Sequence, residues 1–349
     1  MTGGRVLVAM SGGVDSSAAA VLLQRQGYAC DGAMLKLLPG DDSRCCSADD
    51  AADARAAAHA LGMDFYVFNE TERFAREVTE PFISAYCAGR TPNPCIDCNR
   101  CLKFGALMDR ALLLGYDYLA TGHYARIAFR DGRYRLLRGA DGRKDQSYVL
   151  YQLTQRQLAH LLLPVGEYGK EEIRTLAEQA GLSNARKRDS QDICFVPDGD
   201  YAAFLQRNGA KLQEGDFVDL QGRVLGRHKG LARYTTGQGK GLGISLGRRV
   251  YVVGKDPAAN TVTLGDEADL YTDALTAGGV NWIAGEAPQA PVACTAKTRY
   301  SQREAEAVVT PLADGRIRVD FAAPQRAVTA GQAVVLYDGE EVLGGGTIE

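Results

Sequence analysis

Short apolar runs alternate with longer, mixed segments over the first 180 residues. The apolar runs predict strands at 6–10, 28–38, 64–69 and 118–121. Helical periodicity predicts helices at 18–26, 48–61, 72–88 (interrupted by Pro81), 102–114, 150–163 and 170–180. Strands that alternate with helices are typical of a doubly wound parallel sheet, which binds ligands at the carboxyl ends of its strands. The predicted fold class is therefore α/β, Rossmann-like, with a first domain at 1–205.

The pattern changes after residue 205, where glycines multiply and short alternating runs replace the helical segments. Such runs, separated by turn residues, predict small β-rich modules. We expect a central β-rich domain at 206–269 and a C-terminal β-barrel at 270–349. Within the first domain, the alternation at 127–138, turning at Asp131-Gly132, predicts a hairpin.

Composition narrows the class of protein. The chain has 349 residues, 46% of them hydrophobic and 24% charged, as in ordinary globular proteins. The sequence contains no apolar stretch of membrane-spanning length and no signal-peptide pattern at its start, so we expect a cytoplasmic protein without a membrane partner. The net charge is −3, so a nucleic acid would have to meet a local basic face. Nine clustered cysteines favour catalysis or metal binding over structural disulfides.

The sequence S-G-G-V-D-S-S at 11–17 follows the first predicted strand and precedes the first helix. Adjacent glycines and free N–H groups at a helix start form a site for phosphate. A Walker A loop is excluded because no Gly-Lys-Ser/Thr follows. The segment resembles the pyrophosphate loop of the N-type ATP pyrophosphatases. This resemblance implies that ATP binds here with Mg²⁺, that Asp15 helps to hold the metal, and that a substrate oxygen is adenylated.

Two cysteine segments carry candidate sulfur chemistry. The first, at 89–101, reads G-R-T-P-N-P-C-I-D-C-N-R-C, and its Cys98 precedes a predicted helix whose N-terminus would stabilise a thiolate. The second, at 187–195, reads K-R-D-S-Q-D-I-C-F, and Lys187 and Arg188 would favour a thiolate at Cys194. A low-pKa thiol is the form that attacks and transfers sulfur.

Further motifs occur in a fixed order along the chain. They are T-G-H-Y-A-R at 121–126, K-D-Q-S-Y at 144–148, T-T-G-Q-G-K-G-L-G-I at 235–244, K-T-R-Y-S-Q at 297–302 and A-V-T-A-G-Q at 327–332. With the pyrophosphate loop and both cysteine segments, this order resembles the tRNA-specific 2-thiouridylases nearly end to end. The resemblance implies an ATP-dependent tRNA-uridine 2-sulfurtransferase. O2 of the wobble uridine is adenylated, and sulfur then replaces it to give 2-thiouridine, AMP and pyrophosphate.

The resemblance also assigns residues. Cys194 carries a persulfide supplied by a sulfur-relay protein or a cysteine desulfurase, and Cys98 forms a disulfide with it after transfer. The implied ATP-binding residues are Ala9, Met10, Ser11, Gly12, Gly13, Val14, Asp15, Ser16, Leu35 and Gly122. The implied tRNA-binding residues are Asn93, Pro94, Cys95, His123, Lys144, Asp145, Gln146, Arg299, Tyr300 and Gln332. The implied substrates are the tRNAs for Lys, Glu and Gln.

Three features leave alternatives open. Some family members have Asp where this chain has Cys95, so proton transfer would pass to water or to Asp97. The spacing of Cys95, Cys98 and Cys101 also resembles part of an iron–sulfur ligand set, so a [4Fe–4S] cluster held with Cys194 is an alternative to the persulfide. Cys45 and Cys46 are either an auxiliary thiol pair or plain loop cysteines.

The stretch at 226–249 carries six Lys and Arg residues and no Asp or Glu, which favours a phosphate-tracking surface over a solvated face. Two other functions compete with thiolation. One is adenylation of a small metabolite, as in amidotransferase-type synthetases, which need no sulfur relay. The other is a non-catalytic RNA-binding or iron–sulfur protein that retains the loop as a scaffold.

Overall fold

The computed structural model describes residues 3–39, 48–187, 193–196 and 199–349. Cys45 and Cys46 lie outside the described residues, as do Arg188 and its four successors. None of the described helices is long and apolar enough to cross a membrane.

A five-stranded parallel sheet with helices packed around it organises the N-terminal part of the chain. Its order is β3-β2-β1-β4-β7. Val6, Leu7 and Val8 of the central strand are fully buried, as the apolar run predicts. The strands are β1 (Gly3–Ala9), β2 (Tyr28–Lys36), β3 (Phe65–Asn69), β4 (Tyr118–Ala120) and β7 (Leu161–Leu162). The fold class predicted from the sequence is confirmed.

The helices of this part differ from the predicted ones in their bounds, and two of them contain irregular turns. They are α1 (Val14–Arg25), α2 (Ala48–Ala60), α3 (Thr71–Phe74), α4 (Glu80–Cys87), α5 (Pro94–Asp97), α6 (Met108–Leu113), α7 (Gln155–Ala159), α8 (Lys170–Gln179) and α9 (Tyr201–Arg207). Two π-helical segments, Ala75–Thr79 and Cys98–Leu107, continue α3 into α4 and α5 into α6. The first π-helical segment ends shortly before Pro81, the residue expected to disturb this helix.

The prediction of a single helix at 150–163 is wrong. A 3₁₀ turn at Ser147–Leu150 is followed by α7. A capping box formed by Thr154 and Gln157 marks the start of α7. The apolar residues after α7 form β7, in which Leu161 pairs with Leu119 of β4. Pairing with the sheet edge thus overrides the helical propensity of the leucines.

The remaining strands form two β-rich bodies, as predicted. A four-stranded sheet with the order β10-β11-β8-β9 forms the central body. In the C-terminal body, β12, β15, β14, β13, β16 and β17 close into a barrel through the β12–β17 pairing. The strands are β8 (Gly215–Val218), β9 (Val224–His228), β10 (Tyr251–Asp256), β11 (Thr261–Gly265), β12 (Tyr271–Trp282), β13 (Val292–Lys297), β14 (Ala305–Pro311), β15 (Ile317–Arg326), β16 (Ala333–Asp338) and β17 (Glu341–Ile348).

The predicted hairpin forms from β5 (Ala125–Arg130) and β6 (Arg133–Arg138). It extends the C-terminal sheet, with Leu137 of β6 paired to Glu341 of β17. Arg135 reinforces this junction, because its Nη1 donates to both carboxylate oxygens of Glu341 at 2.8 Å. The hairpin therefore joins the barrel to the segment that follows β4.

Candidate functional site

The pyrophosphate loop connects β1 to α1. The N–H of Met10 donates to the carbonyl of Ala33 at 2.8 Å, and Gly12 has a φ of +76°, which favours glycine. The hydroxyls of Ser16 and Ser17 donate to the carbonyl of Gly13 at 3.1 and 3.2 Å. These hydroxyls therefore hold the loop in shape, and the backbone N–H groups at the start of α1 are left as the main phosphate donors.

Asn184 holds the same loop from a distant part of the chain. Its side chain is 3% exposed, and its Nδ2 donates to the carbonyl of Gly12 at 3.1 Å and to Ser17 Oγ at 2.9 Å. Among the described residues, its Oδ1 is a buried acceptor with no hydrogen-bond donor. Asn184 precedes Cys194 by ten residues, so the chain that leads to this cysteine is attached to the nucleotide loop.

Asp15 is the centre of a partly buried network at the start of α1. Its carboxylate accepts hydrogen bonds from Lys170 Nζ at 2.7 and 2.8 Å and from the Tyr124 hydroxyl at 2.7 Å. Lys170 is 7% exposed and begins α8. The ammonium group neutralises the carboxylate in a place where unpaired charge is costly.

A cavity of about 590 Å³ opens beside this loop, at the carboxyl edge of the sheet. This volume is in the usual range for small-molecule sites. Nine of the ten expected ATP-binding residues line it: Ala9, Met10, Ser11, Gly13, Val14, Asp15, Ser16, Leu35 and Gly122. Gly12 is not part of the lining, and its carbonyl accepts a hydrogen bond from Asn184 Nδ2. Gly122 leaves no space for a side chain, since a Cβ there would lie 2.7 Å from the backbone of Asp15 and Ser16.

Four of the expected tRNA-binding residues line the same cavity: His123, Lys144, Gln146 and Tyr300. Of these, His123 is 9% exposed and shares a hydrogen bond of 2.7 Å with Thr121 Oγ1. Burial, assisted by the charge of Lys103, lowers the pKa of His123 well below its usual value. His123 is therefore a neutral ring in the cavity wall and offers hydrogen bonds rather than positive charge.

The K-D-Q-S-Y motif both lines the cavity wall and holds it in place. Asp145 is buried and accepts from the N–H of Gly139, from the N–H of Ser147 and from Ser147 Oγ. Gln146 forms reciprocal bonds with Tyr124, whose N–H donates to Gln146 Oε1 at 2.9 Å. The structure thus places Asp145 inside the fold rather than on a surface that faces a polynucleotide.

The helix that carries Cys98 begins earlier than predicted. Asn93 caps it by accepting from the Cys95 N–H at 3.1 Å, and Pro94 is its first residue. Asn followed by Pro is a strong helix start, and the helical run therefore begins eight residues before the predicted start at residue 102. Cys98 is the first residue of the following π-helical segment, so it lies beyond the free N–H groups of the helix start. The expected stabilisation of a Cys98 thiolate by a helix N-terminus is therefore wrong.

Cys98 and Cys194 are both half-buried and pack against the same hydrophobic cluster. Phe195, next to Cys194, meets Phe74 and Phe82 edge-to-face, at ring-centre distances of 5.5 and 5.1 Å. This aromatic contact fixes the second cysteine segment on the helices that precede the first. The structure therefore brings both candidate cysteines to one core, although they are 96 residues apart in the sequence.

Lys187, which was expected to favour a thiolate at Cys194, forms ion pairs with α2 instead. Its ammonium lies 2.7 Å from an oxygen of Asp50 and 2.6 Å from one of Asp53, both on α2. These hydrogen bonds outweigh burial and raise the pKa of Lys187, so it remains charged. Lys187 binds α2 and the cavity rim, where Asp50 also lies.

Arg299 and Gln332 make contacts between domains. Arg299 Nη2 donates to the carbonyls of Thr236 and Ala327 at 3.1 and 2.8 Å, which joins the central sheet to the C-terminal barrel. Burial lowers the pKa of Arg299. Gln332 Nε2 donates to the carbonyl of Thr91 at 2.7 Å, within the first cysteine segment and seven residues before Cys98. Both expected tRNA contacts thus also have partners within the protein.

The basic stretch at 226–249 lies in the central body. Arg227 pairs with Asp216 at 2.7 Å, and Arg248 pairs with Asp266, so part of its charge is compensated by neighbours. Its glycine-rich part, with Arg248 and Arg249, lines an open groove of about 400 Å³. Such a groove suits a phosphate backbone better than an enclosed ligand.

The [4Fe–4S] cluster expected on Cys95, Cys98, Cys101 and Cys194 stays a prediction. Across 3–39, 48–187, 193–196 and 199–349, no group of three or more His, Cys, Asp or Glu side chains is placed to hold a metal ion. Burial raises the pKa of the Cys101 thiol.

Neither Lys170 nor Asn184 was expected from the sequence. Lys170 follows Tyr-Gly at the start of a helix, and Asn184 lies in a polar turn after one, and both are ordinary contexts. They lie 155 and 172 residues from the loop groups they bind. No local signal marks a partner at such separations.

Family models match nearly the whole chain. The tRNA methyl transferase HUP domain matches residues 4–198, the tRNA methyl transferase PRC-barrel domain matches 202–266, and the aminomethyltransferase β-barrel domain matches 272–348.

Among curated proteins, the chain is 48% identical to the tRNA-specific 2-thiouridylase MnmA of Acetivibrio thermocellus, over 99% of each chain. It is 52% identical to the protein of that name from Moorella thermoacetica, over 98% of this chain and 99% of the other. A solved structure, the U34-tRNA thiolase NcsA from Methanococcus maripaludis with its [4Fe-4S] cluster, aligns with a TM-score of 0.37 and 17% identity, over 60% of this chain and 67% of that one. This likeness is too distant to argue from.

Proposed function

The chain belongs to the tRNA-specific 2-thiouridylases and is a tRNA-uridine 2-sulfurtransferase that uses ATP, and from this premise we propose which of its residues perform each step. The observation that carries the proposal is the cavity beside the pyrophosphate loop. His123 at a strand end bounds it. Leu35, Leu37 and Leu107 of its wall belong to the hydrophobic cluster against which Cys98 and Cys194 pack. Two of the matching family models are named for tRNA methyl transfer, whereas the relatives are named as 2-thiouridylases. A pyrophosphate loop together with two candidate cysteines favours thiolation over methyl transfer.

The first step is adenylation of the wobble uridine. A uridine carbonyl oxygen is a poor leaving group, so O2 attacks the α-phosphate of ATP and pyrophosphate departs. The N–H groups of the loop at 11–16 bind the phosphates, and the apolar wall near Ala9 and Leu35 receives the adenosine. Asn184 and the Asp15–Lys170 pair keep the loop in its binding conformation.

Magnesium would enter with ATP and be held by Asp15. Asp15 and Asp50 are the carboxylates among the described residues that line the cavity. A carboxylate offers about four lone-pair sites, and Lys170 and Tyr124 use three of those of Asp15. Within the part of the chain that the structure describes, one site remains, which fits an ion that takes one or two carboxylates and completes its shell with phosphate and water. When bound, the ion neutralises phosphate charge.

The second step is sulfur transfer. A persulfide on Cys194, supplied by a sulfur-relay protein or a cysteine desulfurase, provides sulfur that bonds to C2 as AMP leaves with O2. Cys98 attacks the Sγ of Cys194, so the transferred sulfur is reduced while the two cysteines are oxidised to a disulfide. An external dithiol reduces the pair for the next cycle. Asp97, whose pKa burial raises despite the nearby Arg100, is our candidate for proton transfer in place of the carboxylate that Cys95 replaces.

The tRNA lies across the cavity mouth and the central body. The target base must leave its stack to reach the α-phosphate, and His123, Lys144 and Tyr300 line the space it would enter. We propose that five of the remaining expected contacts bind the anticodon stem-loop: Asn93, Pro94, Cys95, Gln146 and Arg299. The groove beside Arg248 would follow the backbone. The proposed substrates are the tRNAs for Lys, Glu and Gln, and the proposed domains span 1–205, 206–269 and 270–349.

The test separates adenylation from sulfur transfer. Hypomodified tRNA should stimulate ATP–pyrophosphate exchange in both the wild-type protein and Cys194→Ser, whereas only the wild type should form 2-thiouridine. Cys294→Ser is the matched control, because Cys294 lies on β13 of the barrel and burial raises its pKa to about 11. Thiolation by Cys194→Ser, or exchange that depends on a small metabolite instead of tRNA, would overturn the proposal.

A further inference from the structure

The C-terminal barrel holds the loop at the start of the first cysteine segment. The N–H of Thr91 donates to the carbonyl of Ala330 at 2.9 Å. Gln332 Nε2 donates to the carbonyl of Thr91 at 2.7 Å. One loop residue is therefore bound on both sides of its backbone by a single barrel segment, 327–332, although 239 residues separate Thr91 from Ala330.

The fit between loop and barrel is close. Gly331 has a φ of +90°, and a Cβ there would lie 2.9 Å from both Arg90 Cβ and the Thr91 nitrogen. Any side chain at position 331 would therefore push the loop away. Glycine at this position lets the two backbones touch.

The barrel segment is itself fixed, so it can serve as a support. The N–H of Gly331 donates to the carbonyl of Ile348, and the N–H of Ile348 donates to the carbonyl of Gln332, both at 2.8 Å. Ile348 ends β17, which pairs with β12, β16 and β6. The support is thus part of the closed barrel.

The loop can transmit this position to Cys98. Upstream, the N–H of Arg90 donates to the carbonyl of Ala85 in α4 at 2.8 Å. Downstream, Pro92 and Pro94 have fixed φ angles, and Asn93 caps the helix that continues into Cys98. From Thr91 to Cys98 the chain therefore has few rotations that could absorb a shift.

We propose that Gln332 is a positioning residue for Cys98, through its hydrogen bond to Thr91, and that the C-terminal barrel serves as the support of the cysteine loop. The catalytic meaning of this placement rests on the proposed function of Cys98. The resemblance assigned Gln332 to tRNA binding, and the two roles differ in what they require. A positioning role acts without tRNA, whereas a tRNA contact acts only in the complex.

The test measures the reactivity of Cys98 in the protein without tRNA. Gln332→Met keeps the length of the side chain and removes the donor, and Gln332→Glu places a carboxylate against the Thr91 carbonyl. Gln325→Ala is the matched control, since Gln325 Nε2 donates to Ala323 within the barrel. The alkylation rate of Cys98 by iodoacetamide is followed by peptide mass spectrometry, and tRNA affinity is measured by filter binding.

Gln332→Met should change the alkylation rate of Cys98 by about fivefold, the effect of one hydrogen bond, and Gln332→Glu should change it more. The rate in Gln325→Ala and the tRNA dissociation constant of Gln332→Met should match the wild type. An unchanged Cys98 rate with weakened tRNA binding would overturn the proposal in favour of a tRNA contact. Alkylation requires neither tRNA nor a sulfur donor, so failure of the proposed role of Cys98 in catalysis would not affect this result.

If Gln332→Glu does not fold, Gln332→Met decides the question alone, with circular dichroism as the check on its fold. An alkylation rate equal to that of the wild type in folded Gln332→Met refutes the positioning role.

Discussion

Replacing Asn184 by Ala should weaken ATP binding by releasing the pyrophosphate loop. The side chain is 3% exposed, and its Nδ2 donates to the carbonyl of Gly12 and to Ser17 Oγ. Alanine would leave the Gly12 carbonyl without this donor. A buried group deprived of its hydrogen-bond partner costs about 1–3 kcal/mol.

This loss destabilises the loop conformation that binds the nucleotide. If the loop must be reordered when ATP arrives, the apparent dissociation constant rises in proportion to the lost population of the competent loop. At about 1.4 kcal/mol per factor of ten, the expected weakening is roughly five- to 150-fold. Isothermal titration calorimetry with ATP measures this change, and thermal unfolding measures the accompanying loss of stability.

Asn281→Ala is the matched control for this experiment. Asn281 Nδ2 donates to the carbonyls of Tyr151 and Leu153 at 2.7 and 3.1 Å, so the substitution removes similar bonds elsewhere in the molecule. It should lower the melting temperature and leave ATP affinity unchanged. If Asn184→Ala loses stability like the control but binds ATP as tightly as the wild type, the reasoning about the loop is refuted.

Three other changes have definite expected outcomes. Lys170→Met should lower the free energy of unfolding, measured in urea, by about 1–3 kcal/mol, because it leaves the partly buried Asp15 carboxylate without its ion-pair partner. The double variant with Asp15→Asn should recover part of this loss. A double variant no more stable than Lys170→Met would contradict the pairing. Because burial lowers the pKa of His123, the unfolded chain takes up this proton at a higher pH than the folded chain does. As the pH is lowered through about 6.5, the free energy of unfolding should therefore decrease by up to about 1.4 kcal/mol per pH unit. His123→Gln should flatten this slope and the exposed His59→Gln should not; equal slopes would refute it. Thr91→Val should raise the melting temperature slightly, because Thr91 Oγ1 is a buried hydroxyl with no hydrogen-bond partner among the described residues, and a lower melting temperature would show that the hydroxyl is needed.

The sequence was most informative where the determinants are local. The buried strand β1, the glycine turn and α1 follow from one contiguous stretch, and the cavity forms where the alternation of strands and helices places it. The hairpin β5–β6 was predicted from its alternation and its Asp-Gly turn, but its pairing with β17 depends on a partner about 200 residues away. Periodicity describes one strand's faces and does not identify its neighbour.

The site was less predictable in its supporting contacts. Motif order placed nine expected nucleotide residues around the cavity, yet the anchors Lys170 and Asn184 lie in unremarkable contexts. The helix start at Pro94 was missed because an Asn-Pro pair is compatible with both a stiff loop and a capped helix. Packing that follows Pro94 selects the helix, and this information is not local.

The most direct measurement follows the oxygen that leaves the base. Hypomodified tRNA carrying ¹⁸O at O2 of the wobble uridine is incubated with the protein, ATP and a persulfide donor, and the products are separated and weighed by mass spectrometry. The account predicts one ¹⁸O atom in each AMP for each 2-thiouridine formed. Recovery of the ¹⁸O in water or in pyrophosphate, with thiolation proceeding, would contradict adenylation of the base.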